Sequence, residues 1–304
     1  MNQKLHRELV TLFDFFKNQR SNPPEQLTFK PKLLKNPSFF TLKELQHHLN
    51  NPLLKPEWVH LKTDGKTVLS DSTLHEKNVQ RRFLHFMDKH IIERELRKGG
   101  ALVLEGLDIL DPNINTFCAK LEETLPCSLT NSVAFFSQSQ NEAYDGHVDS
   151  DDVLVIQLSG KKLWDIFEPQ QRRYLDLDNQ SEHQLGPVLQ QITLSPGDAL
   201  YVRAGVPHRC HTAADHSLHI AFDLLDRTPN VDQITKEANP RYYQACEQPY
   251  EPASKVIDKY VELLKSPGFQ VAVEKQTKDV REKNAKFREQ VERASGVRFL
   301  SKFK

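Results

Sequence analysis

The spacing of apolar residues divides the chain into three stretches with different predicted structures. In residues 1–98 apolar positions recur every three or four residues, a spacing typical of amphipathic helices. Residues 5–16 predict a first helix, and a capping-box pattern at Thr41 and Glu44 predicts the start of a second. Residues 80–96 predict a third helix. We therefore expect residues 1–98 to form a mostly helical region that packs on the rest of the chain.

Residues 99–228 have a different pattern, with short apolar runs separated by turn residues. Asp111 and Pro112 predict one helix start, as an N-cap followed by a proline. The clearest turns are Ser159-Gly160 and residues 195–198. The predicted strands are residues 101–104, 132–137, 153–158, 162–167, 191–194, 199–202 and 217–224. Many short strands at this spacing predict a mainly β core, either a sandwich or a barrel.

Residues 229–304 are again predicted to be helical and are strongly charged. Val256, Tyr260 and Leu263-Leu264 could form an apolar stripe on one helix. Residues 274–293 carry few apolar anchors, which leaves two interpretations open, a solvated helix and a helix that faces a partner.

The composition is that of an ordinary soluble globular protein, with 38% apolar and 27% charged residues among 304. Lys and Arg together number 41, as do Asp and Glu, so no net charge favours direct binding to nucleic acid. No apolar run is long enough to span a membrane, and the N-terminus lacks the apolar region of a signal peptide. The four cysteines have no CxxC spacing, and we interpret them as reduced thiols. We therefore predict a cytoplasmic protein with no membrane partner.

The segment around His147 and Asp149 is the strongest candidate for a metal site. Alternate residues of a strand project from the same face, so this imidazole and this carboxylate would project together. Two histidines and one carboxylate form the facial triad that holds Fe(II) and leaves coordination positions open for other ligands. A His-x-Asp pattern is common by chance, so a third ligand from a distant strand is required.

Four later histidines could supply the third ligand, and His208 is favoured. It follows a predicted strand and a tight turn at Gly205, which would return the chain to the mouth of a barrel. His211 would face the other way on a regular strand. His216 remains a competitor, and His219 lies inside a later strand, where a structural role is commoner with a supporting role as the exception.

Two segments resemble the JmjC-type cupin oxygenases, specifically the ribosomal-oxygenase-like branch of that family. They are residues 147–164, which run from His-Val-Asp to Gly-Lys-Lys-Leu-Trp, and residues 194–208, which contain Pro-Gly-Asp-Ala-Leu-Tyr and end in Gly-Val-Pro-His. The likeness extends over about residues 25–225. It implies a double-stranded β-helix with flanking helices and an Fe(II)/2-oxoglutarate-dependent oxygenase that hydroxylates a protein or peptide side chain, with succinate and CO2 as co-products.

The resemblance also assigns roles to particular residues. It implies His147, Asp149 and His208 as the iron ligands and catalytic centre, and Lys162 as the group that binds the distal carboxylate of 2-oxoglutarate. A buried ammonium paired with a carboxylate forms a strong charge-assisted hydrogen bond. Lys161 should point outward and stay solvated.

One departure from the family pattern concerns the strand before His147. That branch often has Asn and Tyr where this chain has Val133 and Phe135, which cannot supply those hydrogen bonds. Ser137 is retained and is a candidate cosubstrate contact. The departure keeps two alternatives open, a hydroxylase of a small amino-acid-like molecule and a non-catalytic metal-binding cupin scaffold. A ribosomal substrate and a homodimer through the C-terminal helices are further expectations from the resemblance.

Other residues near these motifs have structural interpretations. Trp164 and Tyr201 are expected to be core aromatics, and Asp151 and Asp152 solvated residues at the rim of the site. For Arg203 a contact with substrate and a surface salt bridge are both open.

Overall fold

The chain divides into two compact units. The computed structural model describes residues 3–63, 66–67, 74–124, 129–138, 146–149, 151–168, 185–225, 258 and 261–295. The first unit comprises residues 1–121 and 130–224, and the second comprises residues 122–129 and 225–304. The first unit therefore contains both the N-terminal stretch and the predicted β core.

The described secondary structure is a sheet-rich core with flanking helices, as predicted. The helices are α1 (Gln3–Ser21), α2 (Leu42–Leu49), α3 (Lys89–Arg97), α4 (Leu107–Leu110), α5 (Pro112–Thr124) and α6 (Pro267–Ser295), with a 3-10 turn at Pro56–Trp58. The strands are β1 (Leu27–Lys30), β2 (Val59–Thr63), β3 (Lys66–Thr67), β4 (Leu74–Val79), β5 (Arg82–Met87), β6 (Ala101–Leu104), β7 (Leu129–Gln138), β8 (Asp152–Phe167), β9 (Val188–Leu194), β10 (Ala199–Val202) and β11 (His208–Leu225).

Nine of these strands form one sheet of the kind expected for a double-stranded β-helix, which confirms the predicted fold class. Its order is β1-β10-β8-β11-β7-β6-β2-β3, with β9 also paired to β8. The long strands β8 and β11 pair along two separate segments, residues 162–166 with 208–212 and residues 152–160 with 217–224. The first half of β8 also pairs with β10 and the second half with β9. These two strands therefore contribute to both halves of the barrel.

The turn predicted at Ser159-Gly160 is wrong, because β8 runs through it as a single strand. Gly160 has a φ of 64°, and a Cβ there would lie 1.8 Å from the His216 carbonyl oxygen. The register between β8 and β11 also shifts on either side of this point. A glycine that reads as a turn in the sequence is here a bend in a continuous strand.

The helix predicted for residues 80–96 is wrong in its first half. Residues 82–87 form β5, which pairs with β4 in a separate two-stranded sheet. Gln80 and Arg81 make the connecting turn with φ values of 50° and 65°. Only α3 is helical, and its start is capped by the Asp88 carboxylate, which accepts from the His90 and Ile91 amides. The stretch predicted as mostly helical thus also contributes β1, β2 and β3 to the large sheet.

The other predicted helix starts are confirmed. Asp111 Oδ1 accepts from the Asn113 and Ile114 amides at the start of α5. Thr41 accepts from the Lys43 amide at the start of α2, and its hydroxyl also donates to the Glu44 carboxylate. Both caps satisfy backbone N–H groups that a helix leaves unpaired.

The interior of the barrel is apolar over most of its length. Its buried cluster consists of Val153, Val155, Trp164, Ile166, Ile192, Leu194, Leu200, Val202, Val206 and Ala221. Polar side chains that share this interior are therefore candidates for a site, because buried polar groups are costly unless they are hydrogen-bonded.

The second unit is described mainly by α6, a 29-residue helix. Arg288 of α6 is 4% exposed and donates to both carboxylate oxygens of Glu122, at 3.0 and 3.2 Å. Leu263 is buried, whereas Val256 and Tyr260 of the predicted stripe lie outside the described residues. Among the described helices, none is both long and apolar enough to cross a membrane. Cys127 and Cys246 also lie outside the described residues.

Candidate metal centre

A two-residue backbone pairing brings His147 and His208 together. The amide of each residue donates to the carbonyl oxygen of the other, both at 2.9 Å. Side chains of directly opposed residues in an antiparallel pair project from the same face. The two imidazole rings accordingly lie 4.5 Å apart between centroids. The histidine predicted as the distant partner is therefore held beside His147 by backbone hydrogen bonds.

Asp149 completes a group of three potential ligands. Its Oδ1 lies 3.6 Å from His147 Nε2, and its Oδ2 lies 3.6 Å from His208 Nε2. One ligand atom from each residue falls within 4.8 Å of the other two. The Asp149 carbonyl also accepts from the Gly205 amide at 2.9 Å, which ties this residue to the turn before His208. Gly205 has a φ of 80°, a conformation that L side chains rarely adopt.

His208 is arranged to present Nε2 as a ligand atom. Its Nδ1 lies 3.0 Å from the Val206 carbonyl oxygen, so Nδ1 carries the proton and Nε2 keeps its lone pair toward Asp149. Burial, reinforced by His147, lowers the pKa of His208 despite the opposing effect of Asp149. The neutral imidazole that a metal requires is thus the favoured form.

The donor set fits a first-row transition metal with open coordination positions. Two imidazoles and one carboxylate match the facial triad of non-haem Fe(II) oxygenases, and the ligand atoms lie close enough for one ion to contact all three. The His208 side chain is 4% exposed, whereas those of His147 and Asp149 are 30% and 34% exposed. The centre is therefore closed on the His208 side and accessible from the other.

Asp152 anchors the turn that positions the centre, which corrects its predicted role as a solvated rim residue. It is 5% exposed. Its Oδ1 accepts from the Ala204 amide at 2.9 Å and from Arg203 Nε at 3.2 Å. Its Oδ2 accepts from Arg20 of α1 at 2.6 Å and from the Tyr201 hydroxyl. Tyr201 is fully buried, as predicted, and Arg203 forms a salt bridge with Asp152, which was one of the two roles left open for it.

These contacts also govern the charge of Asp152. Burial by itself raises the pKa of this carboxyl, but hydrogen bonds from Tyr201, the Ala204 amide and Arg20 outweigh it and hold the pKa below its usual value. Asp152 is therefore an ionised anchor between α1 and residues 203–205, which lead into His208.

We expect Asp152→Asn to weaken metal binding about 10-fold, the size seen when groups that support ligands are removed. The amide cannot accept all four hydrogen bonds as an anion does, so residues 203–205 would hold Asp149 and His208 less firmly. Calorimetric titration with Mn(II) measures the effect. Asp198→Asn is the matched control, since Asp198 is also buried and accepts from the Lys32 and Ser195 amides in a different turn. Equal losses of metal affinity in both variants would contradict this role.

Lys162 lies inside the barrel on the same face of the β8–β11 ribbon as the centre. It is 1% exposed, while Lys161 is exposed, as predicted. Lys162 Nζ donates to Ser137 Oγ at 3.1 Å, and Ser137 Oγ lies 2.6 Å from Thr212 Oγ1. Thr212 pairs with Lys162 across the strands, and His208 pairs with Ile166 four residues along. An ammonium and two hydroxyls thus form a polar pocket in an otherwise apolar interior.

Aromatic side chains pack next to the metal centre. Trp164 stacks on His208 with ring centroids 5.1 Å apart and meets His219 edge to face at 6.2 Å. His219 in turn stacks on Phe135, at 4.8 Å and 9°. Phe135 packs against the buried cluster of Ala101, Val103 and Val133. The two apolar residues that depart from the family pattern therefore line the barrel interior.

Asp223 is a further acidic residue near the centre that the sequence did not single out. Burial raises its pKa to about 7, and the charges of Asp149, Asp151 and Glu105 add to the effect. Thr212 was missed as well. Thr212 lies on β11 four residues after His208, and that same-face relation was the signal available in the sequence.

Residues 109–234 match the JmjC domain family. The match includes the His147 and His208 motifs, and it confirms the resemblance to the JmjC-type cupin oxygenases that these motifs carry.

Relatives with similar sequences belong to the predicted branch. The chain is 33% identical over 135 residues to the bifunctional lysine-specific demethylase and histidyl-hydroxylase NO66 of Drosophila persimilis, covering 42% of this chain and 20% of that one. It is 30% identical over 122 residues to ribosomal oxygenase 1 of Rattus norvegicus, covering 38% and 20%. The alignments therefore span about a fifth of these relatives.

A similar fold occurs in a solved structure. The Escherichia coli protein ycfD aligns over 84% of this chain and 68% of its own length, with a TM-score of 0.52 and 16% sequence identity. At that identity the likeness concerns the fold, and it extends beyond the segment matched as a JmjC domain.

Proposed function

We propose that this chain is an Fe(II)/2-oxoglutarate-dependent oxygenase that hydroxylates a protein or peptide side chain. One molecule each of 2-oxoglutarate and O2 would be consumed with the substrate C–H group, giving the alcohol, succinate and CO2. The observation that carries the proposal is the buried Lys162 in a JmjC domain, on the barrel face that also presents His208. A different metal cupin has no use for a buried ammonium in this place.

His147, Asp149 and His208 are proposed as the iron ligands. Their three donor atoms supply one carboxylate charge and two neutral imidazoles, which leaves part of the coordination sphere for a chelating cosubstrate. Iron(II), when bound, supplies the redox chemistry that couples decarboxylation of 2-oxoglutarate to hydroxylation. The protein's own contribution is to hold the cosubstrate, exclude water on the His208 side and admit substrate on the exposed side.

Lys162, Ser137 and Thr212 are proposed to bind the distal carboxylate of 2-oxoglutarate. The four-residue step in register between Thr212 and His208 corresponds to roughly 13 Å along the strands. That distance is comparable with the combined length of a lysine side chain and a five-carbon diacid. The charge-assisted hydrogen bond from Lys162 would fix one end of the cosubstrate, so that the 2-oxo acid end lies toward the metal ligands.

The substrate is proposed to be a protein side chain, with ribosomal proteins as the first class to test. The support is the names of the relatives, one a histidyl-hydroxylase and another a ribosomal oxygenase. A cytoplasmic location and a homodimer through the C-terminal helices remain predictions.

The competing function is a non-catalytic cupin scaffold, which the apolar pair Val133 and Phe135 favours. The two functions can be distinguished because only the oxygenase converts 2-oxoglutarate to succinate. We expect the anaerobically purified protein with Fe(II) and 2-oxoglutarate to show the visible charge-transfer band of the chelate. On admission of O2 it should release succinate, faster when the substrate is present.

Substrate identity requires a separate measurement. Mass spectrometry of ribosomal proteins from cells with and without this gene should reveal a side chain that loses the mass of one oxygen atom in the deletion. If the protein shows no chelate band and releases no succinate, the oxygenase function is excluded. Turnover with a free amino acid but with no modified protein would instead support the small-molecule hydroxylase.

A further inference from the structure

Several buried polar atoms have no hydrogen-bond partner in the part of the chain that the structure describes, and two of them belong to rings near the metal centre. These two are Trp164 Nε1 and His219 Nδ1. An indole N–H is a donor only, so Trp164 requires an acceptor. Leaving such a group unsatisfied in an apolar interior costs stability, and an unsatisfied group in a native fold calls for an explanation.

In register, Trp164 lies between Lys162 and the residue opposite His208, and His219 pairs with Gln157 on the other side of Lys162. Trp164 lies two residues after Lys162 on β8, hence on the same face of that strand. Its ring contacts those of His208 and His219. The positive charge of Lys162 also lowers the pKa of His219, so the two side chains are close together. Trp164 is therefore close to the His208 imidazole, and His219 is close to both Trp164 and the Lys162 ammonium.

We infer that His219 is a cosubstrate-binding residue, whose imidazole donates a hydrogen bond to a carboxylate or 2-oxo oxygen of 2-oxoglutarate, with Trp164 Nε1–H as a second donor. This inference rests on the proposed function and deepens it. It assigns to His219 on β11 and Trp164 on β8 the polar contacts that the family pattern places on β7, where this chain has Val133 and Phe135.

The protonation state of His219 suits this role. Burial, and then the nearby charge of Lys162, lowers the pKa of His219 well below its usual value. The ring is therefore neutral at physiological pH and carries one N–H donor. A neutral donor can bind an anionic cosubstrate without adding a second buried cation beside Lys162.

Phe135 explains how the imidazole is held in position. Its ring lies nearly parallel to that of His219 at 4.8 Å, which restricts rotation of the imidazole about its long axis. Phe135 has no hydroxyl with which to bind the cosubstrate. In this inference it instead orients His219, whose imidazole N–H donates the hydrogen bond. The substitution at this position and the unsatisfied histidine therefore have one common explanation.

The test compares three variants of β11 by calorimetric titration of 2-oxoglutarate into the Fe(II)-loaded protein without oxygen. We expect His219→Leu to raise the Kd about 10- to 100-fold, the effect of losing a hydrogen bond to a charged group. His219→Asn keeps an amide donor near the position of Nδ1, so its Kd should stay within roughly fivefold of the wild-type value. Fe(II) affinity should not change in either variant.

His211→Leu is the matched control. His211 lies on the same strand, also has a buried Nδ1 without a hydrogen-bond partner, but neighbours Thr212 and so faces the opposite side of the sheet. It should leave the Kd for 2-oxoglutarate unchanged. In turnover assays His219→Leu should raise the KM for 2-oxoglutarate by a larger factor than it lowers kcat.

Three other outcomes would contradict the inference, and each has a different explanation. Wild-type affinity in His219→Leu would mean that His219 does not contact the cosubstrate. Equal weakening in His219→Leu and His219→Asn, with a matching fall in Tm, would mean that the histidine serves only the core. If the wild-type protein binds Fe(II) but not 2-oxoglutarate, the proposed function fails and this inference fails with it.

Discussion

Replacing Lys162 with alanine is expected to raise the Kd for 2-oxoglutarate about 100-fold or more, because truncating one partner of a buried charge pair removes its interaction and strands the other charge. Lys162 is 1% exposed and its ammonium already donates to Ser137. In the Lys162→Ala variant, the distal carboxylate of the cosubstrate would be buried in the same apolar interior without a cation to pair with it. Fe(II) affinity should be unaffected, since Lys162 is not among the proposed ligands.

Lys161→Ala is the control for this substitution. The two lysines are adjacent on β8 and project from opposite faces, and Lys161 is exposed. The control removes the same charge from the same strand, so it separates a specific contact from a change in net charge. The assignment would be wrong if both alanine variants bound 2-oxoglutarate with the same affinity.

Replacing His208 with alanine is expected to weaken Fe(II) binding by more than about 100-fold, the upper range for groups that only support metal ligands. His147 and Asp149 would remain, but two ligands hold a divalent ion far less firmly than three. With no metal in place, the chelate band and succinate release should both disappear. Metal titration by calorimetry and the visible spectrum measure the two effects.

His211→Ala tests the choice among the histidines of β11. It removes an imidazole three residues away, on the other face of the strand, and should leave Fe(II) affinity and the chelate band at wild-type values. A band that survived in His208→Ala and vanished in His211→Ala would show that the third ligand had been misassigned.

Local rules account for the features that the sequence predicted well. The caps at Thr41 and Asp111 depend on hydrogen bonds that reach only two or three residues along the chain. The pairing of His147 with Asp149 depends on the two-residue period of extended backbone. Such relations need no knowledge of the rest of the fold, and the structure brings these side chains together.

Features that depend on strand pairing were predicted less well. The β4–β5 hairpin turns through Gln80 and Arg81, which both have positive φ, whereas such turns usually carry Asn or Gly. Without those residues the segment read as the start of a helix. Gly160 had the opposite effect, since it suggested a turn where the strand only bends.

Asp152, near the metal centre, was also predicted wrongly because its environment depends on a distant part of the chain. Beside Asp151 it read as one of two solvated acids, because nothing nearby in the sequence pairs with it. Its partner Arg20 lies 132 residues earlier, on α1, and only the docking of that helix places the guanidinium against the carboxylate. The contact turns a rim residue into a buried anchor.

By itself the sequence determined that a histidine and a carboxylate share one strand face and that a Gly-x-Pro-His turn could supply a third ligand. Only the tertiary structure decided that His208 pairs with His147, that Ser137 meets Thr212 from 75 residues away, and that His219 lies stacked on Phe135 near Lys162. The physical reason is that side-chain direction follows from local backbone geometry, whereas the neighbours of a side chain follow from register between distant strands. In this JmjC domain that register sets the proposed metal ligands and the proposed cosubstrate pocket at two points along one ribbon of β8 and β11.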